Sequence, residues 1–238
     1  MRLIASTFLM LIRLWRHRPE LYFDMEVYSN FSAVVATCSL ARNRYGFYRK
    51  SSEYKEKLHT RTVFFNTQRH ITEIYSYMAL QAGVRPSGET IGLFVVSEDH
   101  RKQCANILRR LKIPASGLIL INVNVSDLLF ERRWPKENWV TYLEEVTRAL
   151  PDFSFLLTGL DREITYVAGI HTQLSPRARS LVFNVAGAFA LAPFLALVEK
   201  SEFLITNESG PLHIAIALMK TTISLWGPVD PRHYGPSS

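Results

Sequence analysis

The residues with the densest chemical content form one run, Asn207-Glu208-Ser209-Gly210-Pro211-Leu212-His213. The run follows a short apolar stretch, Phe203-Leu204-Ile205-Thr206, and opens a helical one, Ile214-Ala215-Ile216-Ala217-Leu218-Met219. This order predicts a strand, a tight turn and a helix whose first backbone N–H groups face outward. Unpaired N–H groups and the positive end of the helix dipole make such a start an anion site. Pro211 suits the first helical turn, where its missing N–H costs nothing, and Gly210 permits close backbone approach. The same grammar also serves an ordinary βα turn, so the rest of the chain decides between the two.

The elements that must position this run alternate regularly. Strand-like runs are expected at Leu118–Val123, Phe153–Thr158, Leu181–Asn184, Phe203–Thr206 and Thr222–Trp226. Helices are expected between them, at Pro135–Leu150, from Asp161 and at Leu191–Lys200. Short apolar strands alternating with helices predict a parallel, doubly wound α/β sheet. Ligands in such sheets bind outside the carboxyl ends of the strands. The loops to inspect are therefore Asn124–Trp134, Gly159–Asp161, Val185–Phe189, Asn207–Gly210 and Gly227–Pro231. They bring Asn, Glu, Ser and Gly together with Arg132 and Arg133, an inventory suited to a phosphorylated, hydroxyl-rich ligand. Neither G-x-G-x-x-G nor G-x-x-x-x-G-K-[ST] occurs, which argues against a dinucleotide dehydrogenase or a P-loop enzyme. No cluster has metal-ligand spacing.

The first half is less regular. A strand is expected at Leu21–Val27, a helix through Ala33–Ala41, a flexible charged stretch at Ser51–Arg61, a β-prone run at Thr62–Phe65 and a helix at Ile71–Ala82 closed by Gly83. Pro86-Ser87-Gly88 is the strongest linker signal, followed by a strand-like Ile91–Val96 and a helix at Glu98–Leu111. Residues 1–12 are apolar but too few to span a bilayer, and Arg13, Arg16, His17 and Arg18 follow instead of a cleavage site. They are read as an amphipathic or core helix.

At 238 residues and 47% hydrophobic content, the chain can bury one large core or two small ones. Residues 1–70 hold 12 Lys/Arg against 5 Asp/Glu, whereas residues 71–238 hold 16 of each, so the whole net charge of +7 lies in the first third. No nucleic-acid module is recognisable, and the preferred partner of this basic region is an anionic lipid or glycolipid surface. Cys38 and Cys104 have no metal-like spacing and are read as reduced, partly buried thiols of a cytoplasmic protein.

Taken with Leu225-Trp226-Gly227-Pro228-Val229-Asp230-Pro231, the run Asn207–His213 resembles the C-terminal signature of glycosyltransferase family 9. Asn122-Val123-Asn124 with Arg132-Arg133-Trp134-Pro135, Thr158-Gly159 and Asn184-Val185-Ala186-Gly187 extend the resemblance across residues 117–238. A weaker match covers Pro19–Phe47, where Tyr22–Glu26 looks like a family strand and Tyr45-Gly46-Phe47 like the turn after it.

The resemblance implies a GT-B fold of two Rossmann-like domains with parallel sheets, the N-terminal one incomplete. With the boundary set by the linker Pro86-Ser87-Gly88, the chain divides into residues 1–88, which the resemblance puts on the acceptor side, a connection at 89–116, and a nucleotide-sugar-binding domain at 117–238, itself incomplete at its end. The resemblance also implies an inverting, metal-independent transfer from a nucleotide-diphosphate sugar, commonly ADP-heptose. The acceptor would be a lipid-linked glycan of the lipopolysaccharide core, at the cytoplasmic face of the inner membrane. No cofactor is implied.

Carried over position by position, the helix start at Ser209-Gly210 would hold the diphosphate and Arg132 would neutralise it. Glu208, where the family usually has Asp, would bond donor-sugar hydroxyls. His213 would donate to phosphate or hydroxyl, Thr158, Gly159 and Gly187 would admit the donor, and Asn207 belongs to the same run. Trp134 and Trp226 are read as core, and Asp230 as a loop cap. Relatives carry further βα units before the region matching Pro19–Phe47, including the loop that supplies the catalytic base. The chain therefore reads as truncated at both ends, with its base expected upstream of Met1. A nucleotide-sugar-binding piece without turnover is the alternative.

Overall fold

The computed structural model describes residues 2–85, 95–125 and 130–236, with only the backbone of residues 2–4. The expected linker at 86–88, and the expected strand Ile91–Val96 except its last two residues, lie outside the described residues. The chain forms two compact units, Met1–Glu89 with Pro231–Ser238, and Thr90–Asp230.

The second unit is a five-stranded parallel sheet of β4 (Leu118–Asn122), β5 (Ser154–Thr158), β6 (Val182–Asn184), β7 (Phe203–Asn207) and β8 (Thr222–Leu225), in spatial order β6-β5-β4-β7-β8. Register pairs Ile121 with Leu157 on one side and Ile205 on the other. Alternation along the strands splits the core in two. Leu118, Leu120, Leu156 and Leu204 face α4 (Glu98–Arg110), α8 (Leu191–Lys200) and α9 (Gly210–Ala217), which bury Cys104, Leu108, Leu197 and Ala215. Ile119, Ile121, Phe155, Leu157 and Ile205 face α5 (Lys136–Ala149), α6 (Ile164–His171) and α7 (Pro176–Arg179), which bury Trp139, Leu143, Ile170 and Ala178. The stretch expected to connect domains thus contains α4, a packed element of this unit.

The first unit holds a three-stranded parallel sheet, β1 (Leu21–Asp24), β2 (Asn43–Tyr48) and β3 (Arg61–Phe64), in that order. Its core gathers Val27, Tyr45, Phe47, Val63, Phe65, Ile74 and Met78, the last two from α3 (Ile71–Gln81). α1 (Arg2–His17) leaves Phe8, Leu9, Met10 and Trp15 exposed, so it is no core helix. α2 (Asn30–Cys38) begins earlier than expected because Ser29 Oγ accepts from the Ser32 N–H and caps it.

Two expectations fail here for physical reasons. Tyr45-Gly46-Phe47 is the middle of the central strand, not a turn. Gly46 is small because the His59 ring lies over it: a Cβ at this position would stand 2.3 Å from Nε2. Ser51–Arg61 is ordered as well. Lys55 is 1% exposed and its Nζ donates to the Val27 and Ser29 carbonyls at 2.8 Å each, pinning the β1–α2 loop. His59 Nδ1 stands 3.1 Å from the Lys55 carbonyl, and Nε2 is 3.1 Å from Asp24 Oδ2. Burial alone would raise the Asp24 carboxyl. The hydrogen bonds from His59, Ser32 and the Glu26 N–H outweigh it and hold that carboxyl below its ordinary range.

The chain's last described turn, α10 (Pro231–Tyr234), belongs to this first unit and not to the second. His233 Nδ1 contacts the Arg69 carbonyl at 2.5 Å and packs edge-on against Phe65, while His70 Nε2 meets the Gly235 carbonyl at 2.8 Å. Cys38 is exposed and Cys104 buried; both are free, and burial pushes the Cys104 thiol up to about 11.

Candidate functional site

Strand order reverses between β4 and β7, and a parallel sheet opens a crevice at such a switch point. The residues leaving these two strands meet there. Asn122 Nδ2 donates to the Asn124 carbonyl (3.1 Å), Thr206 Oγ1 (3.1 Å) and Ser209 Oγ (2.9 Å). Ser209 Oγ in turn donates to the Asn207 carbonyl at 3.0 Å. Asn207, wholly buried, accepts the Trp134 N–H on Oδ1 at 3.1 Å and so ties the arginine-bearing loop to the end of β7.

Above this lattice lies a cavity of about 290 Å³. One wall is polar: Asn122, Asn124, Thr158, Gly159, and Ser209-Gly210 at the start of α9. The other is apolar, with Val185, Phe189, Leu191, Phe194 and Ile214. Ser209 precedes α9 in extended backbone, and its side chain does not cap the helix. The first-turn donors therefore keep their outward aim, and Pro211 in that turn has none to lose.

Arg132 and Glu208 are brought together, but on each other. Arg132 Nη1 stands 2.5 Å from Glu208 Oε2, with side chains 21% and 7% exposed, and neither residue lines the cavity. Gly227 holds the Arg132 backbone from behind; a Cβ there would come within 3.0 Å of the Glu131 carbonyl and 3.2 Å of Arg132 Cα. Arg133 is committed elsewhere, its guanidinium 4.2 Å from the Tyr166 ring and 5.1 Å from that of Phe130.

Gly159 and Gly187 are adjacent, since the Gly187 N–H donates to the Gly159 carbonyl at 2.8 Å. Gly187 has φ +74°, and a Cβ there would stand 2.7 Å from Asp161 Oδ1. His213 lies exposed on the first turn of α9 and is not among the cavity residues. Trp134 packs edge-on against Trp139 at the core, whereas Trp226 is half-buried and donates its indole N–H to Ser224 Oγ at 2.8 Å.

Asn122 and Asn124 carry more of this geometry than the sequence suggested. Their signal was legible: an amide side chain ending an otherwise apolar, buried strand has to meet a specific partner. Glu163 also lines the cavity, and its Oε2 is taken by the Leu160 N–H at 2.7 Å. Among the described residues no three His, Cys, Asp or Glu side chains gather as a metal site, and no helix is long and apolar enough to cross a membrane.

The family model of glycosyltransferase family 9 (heptosyltransferase) matches residues 27–238. Lipooligosaccharide heptosyltransferase 2 of Haemophilus influenzae is 27% identical over 107 residues, covering 45% of this chain and 30% of that protein. Lipopolysaccharide heptosyltransferase 2 of Escherichia coli is 27% identical over 109 residues, again 45% and 30%. Among solved structures, a family 9 glycosyl transferase from Veillonella parvula superposes with a TM-score of 0.79 at 20% identity, covering 98% of this chain and 65% of that one. E. coli ADP-heptose lipopolysaccharide heptosyltransferase II gives 0.77 at 20% identity, covering 98% and 70%. E. coli heptosyltransferase WaaC with ADP gives 0.67 at 16% identity, covering 97% and 68%. The chain thus spans about two thirds of its solved neighbours, and its matches span under a third of the curated relatives. The superpositions establish a GT-B-type α/β fold with Rossmann-like parallel sheets, three-stranded in the first unit. With the family model covering most of its length, the chain belongs to glycosyltransferase family 9, the heptosyltransferases.

Proposed function

We propose that the chain takes part in sugar transfer from a nucleotide-diphosphate sugar, ADP-heptose in first place, to a glycan acceptor of the lipopolysaccharide-core type. The observation that carries this is the cavity at the β4–β7 switch point, which joins the open start of α9 to an apolar wall. The helix start suits a diphosphate, the apolar wall suits a flat base, and the amide-lined rim suits hydroxyls. Arg132 is the reserve of positive charge beside it, provided Glu208 releases it or shares it with the ligand. Thr158 and Gly159 belong to the polar wall, Gly187 supports Gly159 from outside the cavity lining, and Asn207 fixes the loop. Inverting transfer without a metal would rely on these donors to meet leaving-group charge. In this reading the reaction takes place at the cytoplasmic face of the inner membrane, and the basic residues 1–70 meet anionic lipid.

A second reading, donor binding without turnover, is favoured by one observation. Among the described residues Glu163 is the only carboxylate lining the cavity, and it is engaged by the Leu160 N–H. A base for the acceptor hydroxyl must then come from outside this site. Release of ADP from ADP-heptose in the presence of a heptose-deficient lipopolysaccharide acceptor tests both readings. Acceptor-dependent release supports transfer, binding of ADP-heptose without release supports the second reading, and absence of both overturns the proposal.

A further inference from the structure

Asn124 is held at one end only. Its Nδ2 donates to the Thr158 carbonyl at 3.0 Å, and its own backbone carbonyl accepts from Asn122 Nδ2 at 3.1 Å and Asn207 Nδ2 at 3.4 Å. Donation to a carbonyl decides which end of the amide is nitrogen, so the oxygen is the end that points elsewhere. Gly159 makes the space, since a Cβ at that position would stand 2.9 Å from Asn124 Nδ2. The residue is 2% exposed, and among the described residues its Oδ1 has no hydrogen-bond partner. Asn124 lines the same cavity as Ser209 and Gly210. A buried, immobilised carbonyl without a donor is uncommon in a folded protein and marks a place where a ligand completes the bonding.

We infer that Asn124 Oδ1 accepts a hydrogen bond from a hydroxyl group of the nucleotide sugar, which makes Asn124 a specificity-determining residue of the site. The inference rests on the nucleotide-sugar reading above. An amide oxygen only accepts, so it repels a phosphate oxygen and selects a donor. The anionic part of the ligand has the start of α9, and the apolar wall of Phe189, Phe194 and Ile214 suits the base. That leaves the hydroxyl-bearing part, ribose or heptose, for the polar rim. Because the amide is fixed by Thr158 and walled by Gly159, it cannot turn to another partner when the ligand lacks the hydroxyl. A site built this way discriminates against the deoxygenated analogue.

Calorimetric titration of ADP, 2′-deoxy-ADP, 3′-deoxy-ADP, ADP-heptose and ADP-2-deoxy-2-fluoro-heptose into the wild-type chain and Asn124→Ala tests this. The expected result is that one deoxygenated ligand binds the wild type about tenfold more weakly than its parent, the worth of one such bond. In Asn124→Ala the parent loses that factor and the difference between the two ligands disappears. Equal discrimination in both proteins, or unchanged parent affinity in Asn124→Ala, overturns the inference while leaving the donor reading intact. Failure of the wild type to bind any of the five removes the donor reading and this inference with it. If Asn124→Ala does not fold, the carbon-13 resonance of the Asn124 side-chain carbonyl in the wild type gives the answer. It must shift more with the hydroxylated parent than with the analogue, and equal shifts contradict the assignment.

Discussion

Arg132 and Glu208 show what residue identities reveal and what they leave hidden. Both could be picked out from the sequence as charged positions at strand exits, each with a role toward a ligand. Their mutual ion pair could not, because it depends on the folded loop that Asn207 and Gly227 hold in place. Glu208 is nearly buried and Arg132 is its ion-pair partner, so Glu208→Ala should destabilise the second unit in urea by about 2–3 kcal/mol. That lies below the ~3–5 kcal/mol of a fully enclosed pair because Arg132 keeps 21% of its side chain in solvent. Gly187 is a position of a different kind. Its φ of +74° and the nearby Asp161 and Ile164 atoms leave no room for a side chain. Gly187→Ala should cost about 1–3 kcal/mol, read from the same urea transitions. The glycine was visible in the sequence, but the reason for it was not.

At the level of elements, period and caps carried most of the assignment. α8 occupies Leu191–Lys200 as expected, and β4, β5, β7 and β8 fall within a residue or so of their apolar runs. Ser51–Arg61 failed because a charged segment without periodicity reads as solvated, and nothing local announces that Lys55 will be buried on two carbonyls. The ordering of this segment also tunes Asp24, because it brings His59 onto the carboxylate, and that hydrogen bond, with those from Ser32 and the Glu26 N–H, outweighs the effect of burial. Since the folded pKa of Asp24 lies below the ordinary 3.8, the stability it contributes is present above that pH and is lost as pH falls through the folded value. Acid denaturation of the first unit should therefore steepen below about pH 4, and Asp24→Asn should flatten that limb while lowering stability at pH 7. A flat limb in the wild type would remove the His59 and Ser32 bonds as its cause. Gly46→Ala should destabilise this unit by about 1–3 kcal/mol, as overpacking does, because the His59 ring is held on both nitrogens and cannot move aside.

For the molecule as a whole, the alternation of strands and helices sufficed to predict a parallel sheet, and a sheet of that kind has its crevice where strand order reverses. The return of Pro231–Tyr234 to the first unit was not legible, since a four-residue turn has no period and its anchors, His70 and His233, look like isolated histidines. Charge distribution was legible at once. The basic first third, with exposed Phe8, Leu9 and Trp15 on α1, should bind vesicles of anionic lipid, and the binding should weaken as salt rises because exposed charges are screened beyond ~8–10 Å. Salt-independent binding would assign the contact to the apolar side chains of α1 instead. The central claim concerns the switch-point cavity, and calorimetry of ADP with the wild type and Arg132→Ala tests it most directly. Saturable binding weakened by about 1.5–3 kcal/mol in the variant, the worth of hydrogen bonds to a charged group, is the predicted result. ADP binding that ignores Arg132 would remove that residue from the site, and no ADP binding by the folded wild type would contradict the claim itself.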